Sequence, residues 1–334
     1  MFVRTANPET RANSFRLHRG RLCVQPSPAQ AGRDAQKTEN IIKVRKQEAM
    51  KKLLLFLKKN PALMAALTVA LCFASVKLLD GATEDETGSV LLRILLSIVC
   101  GAVLYAVSGP KSFENLDKDI GYVLRKYSGF LVFSGLLGIF SIITAVAGGA
   151  PLVSGWPKVL CLVILELIFV GLFEELCFRV IINDGLLYQF RENKHIFVWI
   201  GVISTLLFGW IHVAGVSVNT PIAAAQAVLK TVSTGLMGFG LLILYWKTRN
   251  FWAVSIAHAL FDSVPLLAAS LFDTGAKVGN YVTEETTAVD GVSVNMGGAQ
   301  IAVFAVQTVV FIIFILVLLK VLKTIDFEKI RREW

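Results

Sequence analysis

The chain has 334 residues and a formal net charge of +9, with 55% apolar and 17% charged residues, against about 45–50% and about 25% in ordinary soluble domains. That balance excludes a soluble globular protein, a disordered chain and a collagenous repeat. Five cysteines, odd in number and without paired spacing, exclude a disulfide scaffold; Cys72, Cys100, Cys161 and Cys177 lie in apolar stretches and read as small buried hydrophobes.

Residues 1–49 are rich in Arg, Ser, Pro, Gln and Asn and contain no apolar segment. They read either as a disordered basic tail or as sequence upstream of the true start. Met50, followed by Lys51, Lys52 and an apolar run, has the charged-then-apolar order of a membrane-inserting N-terminus, which Met1 lacks. Residues 50–334 form the main domain on either reading.

Crossing a hydrocarbon core takes roughly 20 apolar residues of helix. Eight runs qualify: Pro61 to Leu79, Val90 to Ser108, Ser128 to Gly149, Lys158 to Leu187, Ile196 to Gly215, Pro221 to Trp246, Trp252 to Phe272 and Ile301 to Leu322. The fourth is longer than one span needs, so it is expected to tilt or to leave the membrane as a cytosolic helix. The fold class is therefore all-α, a polytopic membrane bundle of about eight transmembrane helices.

Charge in the connections fixes an orientation. Lys51, Lys52, Lys58 and Lys59 precede the first run, and Glu84, Asp85 and Glu86 follow it. Lys111, Lys118, Arg125 and Lys126 precede the third; Arg191 and Lys194 precede the fifth; Lys247 and Arg249 precede the seventh; and Lys320, Lys323, Lys329, Arg331 and Arg332 end the chain. Every second connection is basic, as eight spans with both termini in the cytosol require. The positive excess is thus accounted for by loops facing the cytosol, with the bilayer as partner and no nucleic acid implied.

Ionisable side chains at membrane depth are costly and point to function. They are Arg93, Glu166, Glu174, Glu175, Arg179, His212, Lys230, His258 and Asp262. Arg93 lies near a span end and can snorkel; Glu166 and Lys230 suit a structural ion pair or a cavity wall. In Phe173-Glu174-Glu175-Leu176-Cys177-Phe178-Arg179, Glu175 and Arg179 share a helix face and can pair. Glu174 lies about 140° from Arg179 at about 100° per residue, leaving its carboxylate free for chemistry. Phe208 stands four residues before His212 and can restrict its rotamer; Asp262 stands four after His258.

Glu-Glu-x-x-x-Arg, then Phe-x-x-x-His, then His-x-x-x-Asp, in that order on separate spans, resembles the CPBP family of intramembrane proteases. That family includes type II CAAX prenyl endopeptidases and bacteriocin-processing, immunity and abortive-infection proteins. The motif region runs from 153 to 271, within a protease domain of 50–334. The resemblance implies an intramembrane endopeptidase acting on a hydrophobic or lipidated peptide, with no cofactor. Glu174 and His212 would activate water, His258 and Asp262 would form the oxyanion site, and Glu175, Arg179 and Phe208 would support them. An ionised Asp262 facing an oxyanion would repel it. It is therefore expected to accept a hydrogen bond from one nitrogen of His258, leaving the other to donate.

Three alternatives stand beside this reading. Glu174, His212 and His258 could ligate a catalytic zinc. The intramembrane acids and histidines could mark an ion path, although no repeated half is visible. A non-catalytic immunity protein could bind a peptide in the same cavity. The membrane would be the plasma membrane in a bacterium and the endoplasmic reticulum in a eukaryote. One geometric tension remains: with straight spans, His258 falls near the cytosolic end of its helix and His212 near the extracellular end of its own.

Overall fold

The computed structural model describes residues 36, 42–49, 52, 55–57, 59–80, 86–108, 118–273, 282, 286–289 and 292–333. Met50 and most of the N-terminal segment, including the question of its start, lie outside them. The chain divides into Met1–Leu55 and Phe56–Trp334. In the first unit, residues 42–49 are helical with every side chain exposed. The second holds everything described below.

Its elements are α1 (Pro61–Asp80), α2 (Glu86–Ser108), α3 (Ile120–Ala147), α4 (Trp156–Glu175), a π-helical turn (Leu176–Ile182), α5 (Asn183–Phe190), α6 (Ile196–Ile211), α7 (Pro221–Thr248), α8 (Phe251–Leu271), the strands β1 (Thr286–Val289) and β2 (Val292–Asn295), α9 (Met296–Leu322) and α10 (Phe327–Glu333). All eight apolar runs are helical. The fourth is not one helix, because it passes from α4 through the π turn into α5. Ile120–Ala147, Pro221–Thr248, Phe251–Leu271 and Gly297–Leu322 are long and apolar enough to cross a membrane, while Pro61–Ser75, Val90–Tyr105 and Ile196–Ile211 are shorter apolar helices. Length and composition thus support four spans among the described residues, not the full eight. The strands form one antiparallel hairpin with Val289 opposite Val292, a small addition to a helical bundle.

The bundle's exterior is apolar. Leu136, Ile139 and Phe140 on α3, Trp199 and Leu206 on α6, and Val306 and Leu316 on α9 are all exposed. A surface of that kind is stable against lipid rather than water, and the chain is an integral membrane protein. In lipid, helices associate through close packing at small residues, and the main helix pairs here do so. A Cβ on Gly171 of α4 would lie 2.7 Å from the Ser255 carbonyl of α8, and one on Gly138 of α3 would lie 2.6 Å from the Val264 carbonyl carbon of α8. Likewise Gly209 of α6 sits directly on the Thr231 carbonyl of α7.

Two helix starts are set by local sequence. Thr220 accepts from the Ala223 amide, with Pro221 at the first helical position of α7, and Asn250 accepts from the Ala253 amide to begin α8. Pro265 inside α8 has no N–H for the Phe261 carbonyl four residues earlier. The Ser134 hydroxyl of α3 donates to that carbonyl instead, so α8 continues past the proline without an orphaned backbone group.

Candidate active site

The site lies where α4, α6, α7 and α8 converge. Gly171 allows α4 to press against α8 at Ser255 and Ala259, one turn from Glu174 and Glu175 and next to His258. Gly209 presses α6 onto α7 just before the helix ends at Ile211, so His212 caps its C-terminus. With 16 residues, α6 rises about 24 Å, less than a hydrocarbon core of about 30 Å. A helix that short need not cross the whole layer, and the two histidines expected at opposite membrane faces meet at one carboxylate.

That carboxylate is Glu174. Its Oε2 lies 3.8 Å from His212 Nε2 and 3.8 Å from His258 Nε2. Both distances exceed a hydrogen bond and match a gap bridged by a small molecule. Glu174 Oε2 is itself buried without a hydrogen-bond partner. His212 Nδ1 lies 2.7 Å from the Phe208 carbonyl. The N–H is therefore on Nδ1, and the Nε2 lone pair faces Glu174.

Glu175 and Arg179 are both fully buried and form the i,i+4 ion pair that their spacing predicts, with Nε to Oε2 at 2.8 Å and Nη2 to Oε1 at 3.3 Å. Arg179 Nη1 also donates to Ser204 Oγ at 3.3 Å. Glu175 Oε1 in turn takes His258 Nδ1 at 2.9 Å. This alters the expected division of labour. Asp262 Oδ2 does approach His258, at 3.3 Å, but at Nε2, the nitrogen on the Glu174 side. The carboxylate that grips the ring from behind is Glu175, not Asp262. The cause is geometric: α4 packs so tightly on α8 that Glu175 reaches the far edge of the imidazole, whereas Asp262, one turn along α8, can reach only the near edge.

Phe208 is fully buried and spaces the whole assembly. Its ring lies 5.0 Å from that of His212 and 5.9 Å from that of His258, and the Arg179 guanidinium lies over it at 4.8 Å. Of the other intramembrane charges, Arg93 pairs with Glu166 at 3.2 Å. Lys230 extends over the Phe304 ring of α9 at 5.7 Å.

Several partners escaped sequence reading. Ser204 lies on the Phe208 face of α6, four residues earlier, which was a usable signal. Below the π turn, Trp246 Nε1 donates to Asn183 Oδ1 at 2.6 Å, Tyr245 OH to Asp184 Oδ2 at 2.8 Å, and Arg249 Nη1 lies 3.0 Å from Asp184 Oδ1. Cys72, Cys100 and Cys177 are buried, as small hydrophobes should be, but they also touch one another, with Sγ–Sγ distances of 3.5 and 3.4 Å. Sequence spacing carries no trace of either cluster.

Glu174, Glu175, Arg179, Ser204, Phe208, His212, His258 and Asp262 all fall within residues 156–264, the segment matched by the family model for Rce1-like proteins, type II CAAX prenyl endopeptidase Rce1-like. No curated protein and no solved structure matches the chain. The match covers the same three motifs in the same order as the resemblance noted from sequence. Residues 156–264 thus carry an Rce1-like domain, which supports the resemblance to the CPBP family read from the three motifs.

Proposed function

We propose that the chain is a glutamate-type intramembrane endopeptidase that cleaves a hydrophobic or lipidated, CAAX-like peptide, with its termini in the cytosol. The observation that carries this reading is the buried, unbonded Glu174 Oε2 set 3.8 Å from two imidazole nitrogens. A water in that gap donates one hydrogen bond to Glu174 and one to His212 Nε2. As the water oxygen attacks the scissile carbonyl, its proton passes to Glu174. His258 has both nitrogens directed at carboxylates, the arrangement of a ring protonated on both. Its Nε2–H, which approaches Asp262 at 3.3 Å, turns from that carboxylate to the oxyanion as it forms. Collapse of the tetrahedral intermediate breaks the C–N bond, and Glu174 returns the proton to the leaving amine.

Zinc fits these donors poorly. A ligating imidazole offers a free lone pair to the metal, and His258 has none left once Glu175 and Asp262 hold its two nitrogens.

The test is cleavage of a quenched fluorescent lipopeptide library by purified protein in detergent, for wild type and Glu174→Ala, with and without a strong chelator. Turnover that survives the chelator and is lost in Glu174→Ala is the expected result. Turnover lost to the chelator and restored by zinc would replace this reading with a metallopeptidase. A cellular immunity phenotype left intact by Glu174→Ala would replace it with a non-catalytic role.

A further inference from the structure

Glu175 reaches the site through one hydrogen bond: its Oε1 holds His258 Nδ1 at 2.9 Å, while the ring's other nitrogen faces Glu174 at 3.8 Å. If the carboxylate turned about its own Cγ–Cδ bond, that oxygen would leave the ring and the ring would lose its aim. Arg179 prevents the turn, with Nε 2.8 Å from Oε2 and Nη2 3.3 Å from Oε1. The orientation of His258 is therefore set by that of the guanidinium.

The guanidinium is in turn held by elements other than its own. Phe208 of α6 blocks it on one side, with the central carbon 4.8 Å from the ring centre. Gly238 of α7 leaves it just enough room: a Cβ there would stand 3.1 Å from Nη2 and 2.6 Å from Phe208 Cδ1. The polar hold comes from Ser204, whose hydroxyl oxygen accepts from Nη1 at 3.3 Å. Ser204 and Phe208 stand four residues apart on one face of α6, both fully buried, and His212 follows four residues later. A guanidinium carries its N–H groups in a rigid fork, so an acceptor at Nη1 determines where Nε and Nη2 point. Without it, the fork is free to swing in its plane until both Nη groups face Glu175, drawing Oε1 from His258.

We propose that Ser204 is a positioning residue: acting through Arg179 and Glu175, its hydroxyl fixes the angle at which His258 presents Nε2 to the reacting carbonyl. This rests on the protease reading above. Ser204 makes no contact with the peptide in this role, so its loss falls on kcat and not on KM.

The experiment measures kcat and KM for lipopeptide cleavage in detergent by wild type, Ser204→Ala, Ser204→Thr, Thr205→Val, Arg179→Lys and the double variant Arg179→Lys with Ser204→Ala. Thr205 is the next residue on α6 and its hydroxyl is buried without a hydrogen-bond partner. Its replacement by valine therefore tests the loss of a buried hydroxyl as such. Thermal unfolding checks that each variant is folded at the assay temperature. Should Ser204→Ala unfold, Ser204→Cys, which fills the space with a weak acceptor, takes its place.

Ser204→Ala should lose about 10- to 100-fold in kcat, the upper figure being that of a misplacement of about 1 Å, with KM unchanged. Ser204→Thr keeps the hydroxyl and should recover most of the loss, and Thr205→Val should match wild type. A lysine cannot hold Ser204 and Glu175 with one planar fork. Arg179→Lys should therefore be slow, and adding Ser204→Ala should slow it no further. An unchanged kcat in Ser204→Ala, no recovery in Ser204→Thr, a loss confined to KM, or full additivity with Arg179→Lys would overturn the role of Ser204 and leave the protease reading in place. A wild type that cleaves no peptide would remove both.

Discussion

Gly209→Ala tests whether the crossing of α6 and α7 sets the catalytic distance. A Cβ at this position would run into the Thr231 carbonyl oxygen, 3.0 Å from its carbonyl carbon and 3.2 Å from the Gly235 amide nitrogen. All three obstacles are backbone and cannot rotate aside. Ordinary carbon contacts begin at about 3.5 Å, so α6 has to retreat by at least about 0.5 Å, and His212, three residues on, retreats with it from Glu174. Overpacking of this kind costs about 1–3 kcal/mol, offset by roughly 1 kcal/mol from the better helix propensity of alanine. A displacement approaching 1 Å lowers turnover about 100-fold. Gly201 supplies the control: it is buried in the same helix, but its Cβ would meet only Phe239 and Trp246 at an ordinary 3.5 Å. Thermal unfolding in detergent and lipopeptide cleavage should therefore separate the two variants, with Gly201→Ala as stable as wild type or more so and fully active. A Gly209→Ala protein with wild-type cleavage, or equal responses from both variants, would refute the argument.

Two further outcomes follow from the bonds around His258 and Arg179. Because Asp262 meets His258 on the site-facing nitrogen, Asp262→Asn, which keeps a hydrogen-bonding oxygen, should retain substantial kcat, whereas Asp262→Ala should lose it; equal losses in the two variants would contradict this. Arg179→Met leaves the fully buried Glu175 carboxylate with His258 but without its guanidinium and should cost about 3 kcal/mol of stability in thermal unfolding. The double variant Arg179→Met with Glu175→Gln should recover part of that loss while staying inactive, since His258 loses the carboxylate behind it.

The helical character of the eight apolar runs was legible because apolar length is a strong one-dimensional signal. The Glu175–Arg179 pair was legible because it joins neighbours on one helix. The bond from Glu175 to His258 was not, for it links residues 83 apart and depends on how closely Gly171 lets two helices approach. The thiol contacts and the Asn183–Trp246 bond are hidden for the same reason. The hairpin did leave a signal, an Asp290-Gly291 pair between alternating residues, overlooked within a loop otherwise judged by charge. The Glu175–Arg179 neighbourhood survives into the π turn, which itself departs from about 100° per residue.

That turn has a bearing on how this segment can change over time. An i→i+5 ladder is rare, and an α-helix would replace it if nothing held it. Here it is clamped at one end by Glu175, Arg179 and Ser204 and at the other by Asn183 with Trp246 and Asp184 with Tyr245. Regularising it would rotate everything downstream by about 100° for each residue taken up and pull one clamp or the other apart. Positions that never touch, such as Ser204 and Trp246, therefore constrain one another's substitutions, and the stretch from Glu174 to Asp184 tolerates a change of helix type only as a single unit.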